Sequence, residues 1–374
     1  MEKKINVNTI PSLTWNWLKM NKDSVELEDS FEKYEPQVQT IPEGFSIDST
    51  KNRIIDFPLF GTGVANRANL KMIDSRVEET PKTQTFSFDS YANHPLQKVF
   101  ESVLNNEQFI QIEGTPSAPL ILNFNSQKNT VSSQIIHALP NSKATIIFVY
   151  EGNAESQIIR TKIYAEENAN INIVKVQLLE NKAVQLDDTS YVADDNAKVQ
   201  FIQLELGGAH VDSGLHVNLN GYKSSFKSNV AYICKENQYL DMNHIVYHFG
   251  KKSECNMQVD GTVKDNAAKT YRGTIDFKNG CAGSKGNEME ETLLLSPTAV
   301  NKSLPVILCD EEDVEGEHGS TIGRISQDIL FYMQTRGISK KEAEELMTRA
   351  KVQAVADLIP CDDVRNEILQ FINK

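Results

Sequence analysis

Asn168-Ala169-Asn170-Ile171-Asn172-Ile173-Val174-Lys175-Val176 is answered, 28 residues on, by Asn196-Ala197-Lys198-Val199-Gln200-Phe201-Ile202-Gln203-Leu204. In both copies an asparagine and a small residue open a short run rich in β-branched and aromatic side chains, the pattern of a turn that launches a strand. The same punctuation stands at Asn141-Ser142, Asn220-Gly221 and Asn266-Ala267, so the intervals are 27, 28, 24 and 46, the last close to twice 23. Strand-like runs at 109–112, 120–124 and 144–150 keep to this scheme, and no helical period interrupts the chain from Phe109 to about Cys309. A period in the mid-twenties predicts a stacked β-solenoid. A sandwich would show turns every ~8 to 12 residues with no reason for a longer repeat. An α/β fold is excluded here.

Outside this core the pattern changes. Residues 1 to about 95 read as irregular, with both tryptophans, Trp15 and Trp17, on one short segment that is expected to dock its rings on the body of the protein. Leu96, Val99, Phe100, Val103 and Leu104 then follow the spacing of an amphipathic helix. At the other end Ser326 is placed to cap a helix over 327–336 that Gly337 terminates, and Ser339-Lys340-Lys341-Glu342 is a capping box for a second helix to about Asp357. Pro360 stops that one, and Asp362 is placed to cap a final helix to Phe371. Such a helical hairpin would either close the open end of the solenoid or dock a partner.

The chain has 374 residues and a net charge of −13, with 40% hydrophobic, 24% charged and 8% aromatic residues. This is the composition of an ordinary globular protein, and its length suits a stack better than one compact domain. A pI near 5.1 argues against nucleic acid or an anionic membrane surface as partners of the whole surface. The first residues lack the apolar run of a secretory leader, and no window reaches the roughly 18 apolar residues of a membrane span, so the expected address is cytoplasmic. Five cysteines, at 234, 255, 281, 309 and 361, include no C-x-x-C and fit neither a disulfide framework nor a zinc finger. Their separations of 21, 26 and 28 raise the idea of a thiol column on neighbouring coils, but adjacent turn and strand positions put them out of phase.

No P-loop, G-x-S-x-G or H-E-x-x-H sequence occurs. His244 and His248 lie in a strand-like run, where four residues span roughly 13 Å, too far for one ion. His210 and His216 show no carboxylate or thiol at ligand spacing. The segment Asp310-Glu311-Glu312-Asp313-Val314-Glu315-Gly316-Glu317-His318-Gly319-Ser320-Thr321-Ile322-Gly323 sets six carboxylates around one histidine, which suits hard or borderline cations unless it is merely a solvated acidic loop.

That segment, taken from Pro305-Val306-Ile307-Leu308-Cys309 and followed by Leu330-Phe331-Tyr332-Met333-Gln334-Thr335-Arg336-Gly337-Ile338-Ser339 and Glu342-Ala343, resembles the C-terminal signature of the SufB/SufD family of iron-sulfur cluster assembly proteins. The family pattern reads approximately P-x-L-E-I-x-x-D-D-V-x-C-S-H-G-A-T-x-G, then L-F-Y-L-x-S-R-G-I. Asp241, His244, His248, 261–263, Arg272-Gly273 and 293–296 are also similar, so the likeness covers about residues 230 to 360. Gly319 follows His318 where the B-type motif carries glutamate, which places the chain on the SufD-like branch. The cysteine usual two positions before the histidine is Gly316 here, and Cys309 is read as a core residue rather than its replacement.

The resemblance implies a mainly β protein, a right-handed parallel β-helix flanked by helical regions, divided as 1–107, 108–315 and 316–374. It implies a non-enzymatic scaffold subunit of a SufBCD-type complex, pairing with a SufB-like subunit and binding a SufC-type ATPase through Phe331, Tyr332, Arg336 and Gly337. His318, with Glu317 beside it, is the implied ligand of iron or a transient iron-sulfur cluster, with nothing tightly bound to the isolated chain. Two other readings stand beside it. One is a carbohydrate-active β-helix enzyme, for which Asp187-Asp188 and Asp194-Asp195 are the internal carboxylate pairs, expected in turns. The other is a homodimeric scaffold that works without SufB.

Overall fold

A computed structural model describes residues 3–11, 19–27, 30–49, 99–100, 103–104 and 107–373. Trp15 and Trp17 lie outside these residues. From Gln108 to Gly323 the chain winds into a parallel β-solenoid of about eight turns, successive strands falling alternately into two stacked sheets. One sheet holds eight strands, from Leu120–Ser126 to Val314–Gly323; the other ends at Val300–Cys309. The opening repeat is therefore literal: Asn170–Gln177 pairs in parallel with Lys198–Glu205, with Ile171 on Val199 and Ile173 on Phe201. Leu120, Ile146, Ile171, Ile173, Phe148 and Phe201 are buried in the lumen, and this continuous apolar stack replaces the single core of a globular domain.

The asparagine turns owe their phase to backbone conformation. Asn141, Asn168 and Asn196 all adopt left-handed geometry (φ 61°, 61° and 57°), a region that asparagine tolerates better than most residues. Their side chains stack as well, the Asn168 amide donating to Asn141 Oδ1 at 3.2 Å. Beyond Asn196 the expected series departs from the structure. The next left-handed residues in the column are Lys223 and Lys252, whose N–H groups donate to the following coil as the asparagines' do. Asn220 precedes its corner, and Asn266 belongs to a second corner with Glu236 and Asp265 (φ 58° and 57°). Each coil has more than one sharp corner, and the asparagine spacing mixed them.

At the N-terminal side the strand Lys3–Val7 pairs antiparallel with Asp23–Leu27. This hairpin lies on the outer face of the solenoid, where Ile5, Val7 and Val25 pack with Val131, Ile158 and Leu186. Val99, Phe100 and Val103 are helical and join the same cluster, as the apolar spacing predicts.

Three helices end the chain: α1 (Gln327–Thr335), α2 (Lys340–Ala356) and α3 (Asp362–Ile372). Ser326 caps α1 and the Ser339/Glu342 capping box opens α2, both as expected. Cys361, not Asp362, occupies the N-cap of α3, and Asp362 is instead paired with Arg365 within the helix. Val352, Val355 and Ala356 of α2, with Val364 and Ile368 of α3, pack on Val174, Val176, Ile202 and Leu204 of the eight-stranded sheet. The helices thus lie along the side of the solenoid and leave its end open.

Candidate functional site at the open end of the solenoid

The last coil ends in two strands, Val300–Cys309 and Val314–Gly323, each the terminal member of its sheet. Among the described residues no strand pairs with their outer edges. The acidic segment was expected as a loop followed by helices; in the structure 314–323 completes the solenoid, and only Asp310–Asp313 form the turn.

His318 sits mid-strand, in register with Glu288, as Ser320 is with Glu290 and Ile322 with Thr292. Those three neighbours face the lumen. Glu290 is paired with Lys269 and accepts from Ser303, Thr292 meets the Tyr232 hydroxyl at 2.8 Å, and a Cβ added at Gly273 would collide with the Glu288 carboxylate. Because no further coil covers it, the face that would be interior is exposed at His318.

Glu317 belongs elsewhere. Successive strand side chains point to opposite faces, so Glu317 lines an outer groove with Lys285, Asn287 and Glu315. The structure therefore does not bring Glu317 and His318 together as a ligand pair. The other carboxylates do not converge on His318 either. Glu315 pairs with Lys285 at 2.8 Å. Glu311 accepts from the Gly280 N–H at 2.9 Å, a backbone bond that holds its carboxyl below the usual value. What lies beneath His318 is a buried polar layer. Burial pushes Glu288 up to about 8, against the opposing pull of Lys269, and depresses Lys269 well below an ordinary lysine.

Gly316 faces inward like His318, and a Cβ there would come within 3.0 Å of the Phe277 ring. Cys309, expected in the core, is exposed on the adjoining strand and shares Phe277 as its register neighbour. The rim of the open end thus carries an imidazole and a thiol, donors suited to borderline transition metals. The other cysteines form no column: Cys255 stacks between Phe226 and Gly286, and Cys234 on Val263. His244 and His248 are buried strand residues as expected, both pushed down to about 3 by burial. Asp187 and Asp188 lie inside the strand Val184–Ala193, not in a turn, and Asp187 is buried against Lys175 at 2.6 Å.

On α1, Leu330 is buried with Ala343 of α2, but Phe331 and Tyr332 are 69% and 61% exposed, with Ile329 and Leu346 exposed beside them. Arg336 lies 5.3 Å from the Tyr332 ring centroid, and Gly337 turns the chain with φ 84°. The four residues implied for docking are thus gathered at the C-terminal end of one helix.

Residues 122–351 match the family model described as SUF system FeS cluster assembly, SufBD core domain. This chain belongs to the SufBD family. It is similar to the iron-sulfur cluster assembly protein SufD of Bacillus subtilis, with 30% identity over 129 residues, 34% of this chain and 30% of that one. It is also similar to SufD of Plasmodium falciparum, 23% identical over 249 residues, 64% of this chain and 17% of that one. A SufBD family protein of Pyrococcus horikoshii is 24% identical over 250 residues, 59% of this chain and 56% of that protein. In each case less than two thirds of the relative's length is matched. The chain is SufD-like within the SufBD family, and none of its helices is long and apolar enough to cross a membrane among the described residues.

One cluster in this SufBD chain escaped the sequence reading. His210 Nε2 lies 2.9 Å from Asp23 Oδ2 and 3.0 Å from Asp212 Oδ2. Burial opposes the charged imidazole, but its bonds to Asp212 and Asp23 outweigh that and hold His210 up at about 10. Asp212 is two residues from His210, on the same strand face, and that spacing was a readable signal once the strand was recognised. Asp23, 187 residues away, arrives only through the N-terminal hairpin.

Proposed function

We propose that this chain is a SufD-like scaffold subunit of iron-sulfur cluster assembly. It pairs with a SufB-like subunit through its open solenoid end and holds a SufC-type ATPase on α1. The observation that carries this reading is the end itself: two strand edges that no other described strand pairs with, and His318 exposed over a buried carboxylate layer. An unpaired edge offers a row of backbone donors and acceptors that a second sheet end satisfies. Iron or a cluster is the cargo at that junction, with His318 as one ligand and Cys309 on the same rim as a thiolate donor. The aromatic surface at Phe331 and Tyr332 supplies the apolar anchor for the ATPase. The carbohydrate-active reading is weaker, because Asp187 is sealed against Lys175 and is unavailable as an acid or base.

Co-expression with a SufB-like and a SufC-type chain tests the proposal. Both should co-purify with this chain and the complex should hold iron; His318→Ala should preserve assembly and lower the iron content severalfold. Failure to retain either chain removes the scaffold reading, and full iron loading of the variant removes His318 from the site. If this chain instead forms a stable pair with itself through the same edges, the homodimeric scaffold is the correct version.

A further inference from the structure

We propose that His210, Asp212 and Asp23 form a binding site for a first-row divalent cation, where the N-terminal hairpin meets the outer face of the solenoid. The site is separate from the assembly end and does not depend on the reading of that end.

Geometry carries the proposal. One ligand atom from each residue is available, and the three atoms lie within 4.8 Å of one another. Donors bound at about 2.0–2.2 Å to one ion sit roughly 3.0 to 4.2 Å apart, according to the angle between them. The separations of 2.9 and 3.0 Å from His210 Nε2 to the two Oδ2 atoms fit adjacent ligands of one ion. A proton fits less well: a single Nε2–H makes one linear hydrogen bond, yet two carboxylate oxygens face it. Asp212 shows the shortfall. It is 2% exposed, and its Oδ2 receives no hydrogen bond of acceptable geometry. This buried oxygen therefore relies on the charge of His210 at 3.0 Å, off the line of a good hydrogen bond, or on a cation in the proton's place.

The surroundings are those of a ligand set. The other oxygen of each carboxylate is held from behind by a neutral donor: the Tyr239 hydroxyl at 3.4 Å from Asp23 Oδ1, and the Asn8 amide at 3.5 Å from Asp212 Oδ1. Such outer contacts fix ligating atoms without competing for the metal. The nearest further carboxylate, Asp241, is already paired with Arg272 and hydrogen-bonded by Asn8 at 2.7 Å. An entering ion displaces the protons that keep His210 charged and that burial retains on Asp212, whose carboxyl is raised to about 8, and the two carboxylates and neutral imidazole that remain neutralise a divalent ion. With no thiol present, the set suits manganese, ferrous iron, cobalt or zinc rather than cuprous copper. Bound metal would cross-link the hairpin strand Asp23–Leu27 to the strand His210–Leu219.

The test uses the full chain, stripped with chelator and titrated with Mn2+, following loss of the free-ion electron paramagnetic resonance signal. One tight equivalent is expected. Asp212→Asn and Asp23→Asn should weaken it at least tenfold, and Mn2+ should raise the melting temperature of the parent chain but not of these variants. Glu166→Gln, which alters a histidine paired with a single carboxylate, should leave the tight equivalent intact. If Asp212→Asn does not fold, the half-buried Asp23→Asn decides. Absence of tight binding, or equal binding by the Asp23 variant, shows that the triad is only an ion pair and overturns the proposal.

Discussion

Glu288 shows how the lumen changes character toward the open end. It stacks on Met257 below and His318 above, and burial raises its carboxyl to about 8, so the folded chain keeps it protonated at neutral pH. The sign of the pH effect follows. The unfolded chain releases this proton near the model value of 4.5, so the contribution to stability is full below that pH and is lost as pH rises through about 8. Glu288→Gln should therefore gain stability relative to the parent between pH 5 and 8.5, by roughly 3–5 kcal/mol at most. Urea unfolding at the two pH values checks this, and a difference independent of pH would refute it. At this scale His318 stands out as a candidate only because the residues around it match a family pattern. The split between His318 and Glu317 follows from strand alternation, which becomes visible only once 314–323 is known to be a strand. Asp23 was not legible at all, since no local spacing links it to His210.

Among the elements, α1 and α2 were read closely because their caps are chemical: Ser326, the Ser339/Glu342 box and Gly337 all act as their residue types dictate. Which faces they bury was harder. The three-residue spacing of Ala343 and Leu346 puts both on one side of α2, yet Leu346 is exposed, while the buried contact of α2 runs through Ala343, Val352 and Val355. The surface beneath determines that choice, and it is assembled from segments as far apart in the chain as Val174 and Leu293. The unused face of α1 makes its own prediction. Replacing Phe331 and Tyr332 by glutamate should weaken binding of a SufC-type ATPase by at least a hundredfold in calorimetry. Melting should change little, because exposed substitutions usually shift stability by less than about 0.5 kcal/mol. Unchanged affinity would remove α1 as the docking element.

For the whole molecule, a solenoid has no centre, and each coil is stabilised by its neighbours. The repeat could be read from sequence because every coil must present apolar residues inward at the same phase, as Ile146, Ile173 and Phe201 do. Where the stack stops could not, because the terminal strands keep the alternation of their neighbours. The consequence is a gradient of local stability. Strands such as Tyr239–His248 are paired on both sides, while Val300–Cys309 and Val314–Gly323 are paired on one. Amides pointing outward from those two strands have no partner strand among the described residues, and opening there exposes only one interface. Hydrogen exchange read by mass spectrometry should accordingly show the last coil exchanging faster than the coil containing Tyr239–His248. Adding a SufB-like subunit should slow exchange in 300–309 and 314–323 selectively, since edge pairing converts free amides into ladder bonds. Protection that instead rises only over α1 and α2 would show that the subunits meet along the helices and leave the solenoid end bare.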